Sequence, residues 1–209
     1  MRNMKERSSS PGSFPGTPDN GEYARLKPAK LKMTVQYATS TREPLPPRTL
    51  LRKWVKATLA HDAEIALRIV DEEEGRRLNR DFRNKDYATN VLTFVYDDAH
   101  GDPDVSSEVS RDAHPLAGDI VLCAPVVENE AGQQQKDLMA HYAHLTVHGV
   151  LHLQDYDHQE EAEAEEMEEM ETRILTWLGY EDPYAGYSRA GSPGSRTGSR
   201  SASTADSCE

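Results

Sequence analysis

The sequence predicts an α/β fold of the α+β type, with one mixed sheet of about four strands and helices packed on it. Two observations predict this: period-two and helical apolar patterns alternate along residues 31–184, and no second composition boundary divides that stretch. A third sets its limits. Residues 1–30 and 185–209 are rich in Ser, Pro and Gly with few large apolar side chains, too few to offset the entropy of ordering, so both are read as disordered tails.

The first strand is LKMTVQYA, and the REPLPPR behind it forbids an immediate helix because proline lacks the N–H that a helix interior needs. TLLRKWVKATL then places Leu50, Leu51, Trp54, Val55, Thr58 and Leu59 on one side at helical spacing. AEIALRIV alternates Ile65, Leu67 and Ile69, which is a strand pattern; EEEGRRLNRDF is a short helix, and the β-branched and aromatic NVLTFVY another strand. DDAHGDPDVSSEVSRDAHPL carries turn residues throughout without periodicity and reads as a long loop. GDIVLCAPVV resumes as a buried strand. From Glu128 the pattern is helical with a break near Gly132, and Asp137 stands as N-cap to LMAHYAHLTVHGVLHL. The last helix runs through EEAEAEEMEEME, where Met167, Met170, Ile174, Trp177 and Leu178 form an apolar stripe for the core and the glutamates its wet face.

Composition excludes several classes. No apolar run approaches the roughly 20 residues of a membrane helix, so no membrane partner is expected. The opening MRNMKERSSSPGSFPG lacks the apolar centre of a secretory signal, and Glu6, Asp19 and Glu22 count against a transit peptide, which points to the cytoplasm. The two cysteines, Cys123 and Cys208, are too far apart in sequence and setting to suggest a disulfide framework. A net charge of −12 argues against a nucleic-acid partner only as a sum, because the acid is concentrated in one run while RRLNRDFRNK is densely basic.

Chemistry concentrates in HLTVHGVLHLQDYDH, residues 144–158. Residues four apart share a helix face, so His148 and His152 project side by side. After His152 the helical pattern stops, and a turn in LQDY would swing His158 back toward the same point. Three imidazoles with a fourth position open to water is the usual constitution of a catalytic zinc, whereas structural zinc fills all four positions with Cys and His. A lone helical histidine is commonly packing, and a pair at this spacing is weak; the third tightens the match. His141 and His144 are read as supporting or solvent histidines, with His144 the substitute ligand. Zinc proteases of the HExxH type carry their general base directly after the first histidine. Here that position is Gly149.

HGVLHLQDYDH resembles the HGxLHLxGYDH signature of the YbeY endoribonucleases, bacterial rRNA maturation factors. RNKDYATNVLTF is similar to that family's YRGKDxPTNVLSF segment and AGDIVLC to its LGDIVIC strand, and the resemblance runs from about Met33 to Tyr184. It implies a zincin-like metal-binding helix, one zinc held by His148, His152 and His158, and Arg83 at the active site. It further implies single-strand cleavage in rRNA processing, especially at the 3′ end of 16S rRNA, and a part in ribosome quality control. The implied partners are rRNA and the small ribosomal subunit, with ribosomal proteins and the Era GTPase as associates, and no DNA.

Zinc on three neutral imidazoles keeps its charge and lowers the pKa of bound water to about 7. Arg83 suits the charge that develops on phosphate oxygens, because guanidinium offers paired donors and stays ionised. Arg76, Arg77, Arg80 and Lys85 would guide the RNA backbone, Asp157 would orient a ligand histidine, and Asn90 would tie down a loop. Two departures from the family stand out: Asp155 replaces a glycine whose place suggests positive φ, and the loop from Asp97 to Pro115 is extended. A peptidase-like metal hydrolase and a non-catalytic zinc-containing ribosome assembly factor are the rival readings. Gly149 and the basic segment weigh against the first.

Overall fold

The computed structural model describes residues 29–96, 115–156 and 160–185. In chain order these form β1 (Leu31–Ala38), α1 (Arg48–Thr58), β2 (Ala63–Val70), α2 (Glu72–Arg83), β3 (Val91–Val95), β4 (Leu116–Cys123), α3 (Ala124–Gln133), α4 (Leu138–Leu153) and α5 (Glu161–Leu178). The strands make one mixed sheet in the order β1-β2-β4-β3, with β1, β2 and β4 parallel and β3 antiparallel to β4. The expected α+β architecture is therefore present. Nearly all of both expected tails and most of the 97–115 loop lie outside the described residues.

Strand alternation divides the apolar residues between two cores. Ile65, Leu67 and Ile69 of β2, with Ile120 and Leu122 of β4, meet Leu51, Trp54 and Val55 of α1, Tyr142, Leu151 and Leu153 of α4, and Met167 and Leu175 of α5. Val70, Val121 and Cys123 belong to a smaller cluster with Leu92, completed by Leu78 of α2 and by Val126. Helix α2 thus covers the sheet face opposite α4. It starts where the Asp71 carboxylate accepts from the Glu74 N–H and stops at Asn84, whose φ of 57° ends helical bonding.

Two expected elements need correction. The strand read through GDIVLCAPVV ends at Cys123, and APVV is instead the first turn of α3. Pro125 is the reason: it lacks an N–H, which the first turn of a helix does not use and a central strand does. In α5, Trp177 is not core but 74% exposed, whereas Glu171 is fully buried between Met167 and Leu175. Positions 167, 171, 175 and 178 follow the helical period, and Trp177 sits about 100° around the axis from Leu178. The glutamates are therefore not all on the wet face.

No helix among the described residues is long and apolar enough to cross a membrane.

Candidate metal centre

Helix α4 is buried on most of its surface, lying between the sheet and its neighbours α1, α3 and α5. Its N-terminus is capped as expected, the Asp137 carboxylate accepting from Ala140 N–H at 2.9 Å. Close approach to the sheet is set by Gly149: a Cβ there would lie 3.3 Å from Ile120 Cγ2 and from Thr93 Cγ2. A glutamate at this position would press its stem into those methyls and bury a carboxylate among them. That is a physical reason for glycine where an HExxH protease carries its base.

Along one side of this helix His141, His144, His148 and His152 follow one another at intervals of three, four and four. The imidazoles of His148 and His152 are nearly perpendicular, with centroids 4.5 Å apart and their Nε2 atoms 3.1 Å apart. Two nitrogens on a tetrahedral zinc, each at about 2.0–2.1 Å from the ion, stand about 3.3 Å apart. The donor set and spacing therefore fit zinc. Among the described residues no group of three His, Cys, Asp or Glu converges on a common point; the expected third ligand, His158, lies outside them, as does Asp157.

Behind the pair stands Glu171, a residue that the acidic run in the sequence puts on the solvent face. Its Oε1 is 2.7 Å from His148 Nδ1 and its Oε2 2.7 Å from His144 Nε2, and Tyr184 Oη donates to Oε2 as well. Burial by itself would raise the pKa of this carboxyl, but the hydrogen bonds from His144 and His148 outweigh it and bring it down to about 2. A second pair lies one turn earlier: His141 Nε2 is 2.9 Å from Glu130 Oε2, and Glu130 also accepts from Asn90 Nδ2 at 3.0 Å. Asn90 additionally accepts from Val91 N–H at 2.7 Å, so it fixes the entry to β3.

The turn after α4 has the expected left-handed residue. Asp155 has φ 67°, with Asp155 N–H donating to His152 O at 3.2 Å and Tyr156 N–H to Leu151 O at 3.1 Å. These two bonds close the helix end in a Schellman arrangement and redirect the chain just ahead of His158.

Arg83 is exposed in the last turn of α2, without a carboxylate partner among the described residues. Its neighbour Phe82 stacks edge-on against Phe94 of β3, with centroids 5.0 Å apart, which puts this end of α2 beside the edge strand. The other basic residues of the segment differ from one another. Arg76 is committed to Asp86 through two bonds of 2.8 and 2.7 Å, Arg80 to Asp81 at 3.1 Å, and Arg77 lies 3.7 Å from Glu74. Cys123 offers no nucleophile, since burial pushes its thiol up to about 11.

Residues 37–179 match the family model described as Endoribonuclease YbeY. A protein of Nitrosospira multiformis named endoribonuclease YbeY is 81% identical over 187 residues, covering 90% of this chain and 97% of its own length. One of the same name from Nitrosomonas europaea is 59% identical over 155 residues, 74% of this chain and 85% of that protein. The solution structure of TM1509 from Thermotoga maritima is 23% identical with a TM-score of 0.45, covering 77% of this chain and 99% of that one.

Proposed function

The chain belongs to the YbeY endoribonuclease family, and from that premise we propose that it is a zinc-dependent, single-strand-specific endoribonuclease. Its substrate would be rRNA precursor on the small ribosomal subunit in the cytoplasm, with the 3′ end of 16S rRNA as its main target. One observation carries the metal part of this reading: His148 Nε2 and His152 Nε2 converge to 3.1 Å while the other ring nitrogen of His148 is held by a buried carboxylate.

His148, His152 and His158 would hold the ion. Zinc in such a site supplies Lewis acidity toward a phosphoryl oxygen and activation of water near neutral pH. The chain's own part is placement. Gly149 lets α4 lie close against the sheet, and the turn at Asp155 ends the helix just after His152, from where His158 would complete the set. Arg83, unengaged by carboxylate among the described residues, would hold phosphate oxygens as charge builds on them. Lys85, exposed in the same segment, would contribute backbone attraction together with Arg77 and Arg80, whereas Arg76 serves first to hold Asp86.

The test combines metal analysis of the purified protein with cleavage of a defined rRNA 3′ precursor, with and without a chelator. About one zinc per chain and chelator-sensitive cleavage are expected. Cleavage at full rate by metal-free protein would remove the metal from the reaction.

A further inference from the structure

The buried side of α5 faces the histidine stripe of α4, and the residue it presents there is charged. Glu171 occupies a core position, fully buried between the apolar Met167 and Leu175. Replacing a buried charge by an apolar side chain is often neutral or stabilising, so packing alone does not account for a carboxylate here. Its oxygens are fully engaged: Oε1 by His148 Nδ1, Oε2 by His144 Nε2 and the Tyr184 hydroxyl. A carboxylate only accepts, so each of these ring nitrogens must carry a proton. For His148 the consequence is specific. A proton on Nδ1 leaves the lone pair on Nε2, the atom that faces His152 Nε2 at 3.1 Å. His144 is turned the other way, its Nε2 meeting Glu171 and its Nδ1 buried and unbonded among the described residues.

Tyr184 reaches this carboxylate from a segment anchored at several points. Trp54 Nε1 donates to Tyr180 Oη at 3.1 Å, Lys136 Nζ to Pro183 O at 3.0 Å, and Asp182 Oδ1 accepts from Thr172 Oγ1 at 3.1 Å and from Tyr184 N–H at 2.9 Å. The segment follows residue 179, where the family match ends.

We propose that Glu171 is the positioning residue of the metal centre, presenting His148 through its Nε2, and that Tyr184, strapped down by residues 180–185, holds Glu171 in place. The proposal rests on the zinc reading above but concerns ligand orientation, which is measurable without cleavage.

Zinc affinity is measured on metal-free wild type, Glu171→Gln and Tyr184→Phe by competition with a chromogenic chelator, and the His148 tautomer is read in the metal-free wild type from its ring nitrogen shifts by NMR. A 10–100-fold loss of affinity is expected for Glu171→Gln, about a 2–10-fold loss for Tyr184→Phe, the worth of one hydrogen bond, and an Nδ1-protonated His148. Wild-type affinity in both variants, or a wild-type His148 protonated on Nε2, overturns the proposal. Should Glu171→Gln fail to fold, Tyr184→Phe and the wild-type tautomer decide the matter. Absence of zinc binding by the wild type itself overturns the zinc reading and this proposal together, whereas normal wild-type binding with unaffected variants overturns this proposal alone.

Discussion

Asp155 is a non-glycine residue at φ 67°, a conformation that crowds Cβ against the backbone and that Asp tolerates better than most residues. Asp155→Gly is expected to raise stability by about 0.5–1 kcal/mol in chemical denaturation, less any interaction of the carboxylate; a loss would mean that the side chain outweighs the strain. Arg83 is a different kind of residue, since no structural bond among the described residues depends on its side chain. Arg83→Ala should keep its zinc and its melting temperature while cleavage falls about 10²–10³-fold, the effect of removing one donor from a developing oxyanion. Unchanged turnover would take Arg83 out of the site. The histidine stripe and the left-handed turn were legible because spacing and helix-end chemistry are local. Glu171 was not: within a run of glutamates nothing in composition sets one apart. Its spacing of four from both Met167 and Leu175 was the available signal.

Among the elements, β4 and α4 carry the tightest geometric demands. A Cβ on Gly118 would stand 2.6 Å from Phe94 O and 2.8 Å from Leu153 Cδ2, so β4 there admits only hydrogen between β3 and α4. Gly118→Ala is expected to cost about 1–3 kcal/mol as an overpacking change. Gly132 lies in the last turn of α3, where an added Cβ would meet nothing within 4 Å, so Gly132→Ala should be neutral or stabilise by up to about 1 kcal/mol. Thermal melts of the two variants check the contrast, and equal behaviour would contradict the packing described. Helix α1 and strand β2 were readable because their periodic residues face a single core. The APVV stretch was misread because a short apolar run fits a buried strand and a buried helix alike; only its proline distinguishes them.

For the whole molecule, ligand and proton binding are both read through linkage. Zinc that binds the folded state alone should stabilise the chelated protein by about 2.7 kcal/mol when free zinc is 100 times its Kd, visible as a rise in Tm. No shift on zinc addition would deny a folded-state site. Glu130 links stability to pH: burial raises its pKa, but hydrogen bonds from His141 and Asn90 more than offset that and lower it. A carboxyl lowered on folding stabilises above its unfolded pKa and loses that contribution as pH falls through the lower folded value. The Tm difference between wild type and Glu130→Gln should therefore persist at neutral pH and close in acid; a constant difference would assign the effect to packing. The sequence by itself determined the alternation of strands and helices, the histidine stripe and the family, because periodicity and motif spacing are properties of neighbouring residues. Only the tertiary structure decided that α2 and α4 cover opposite faces of the sheet, that Gly149 packs tightly against Ile120 and Thr93, and that one glutamate of α5 backs His144 and His148. Those facts depend on segments distant in the chain meeting at van der Waals or hydrogen-bond range, and local pattern carries no record of which distant partner a side chain will meet.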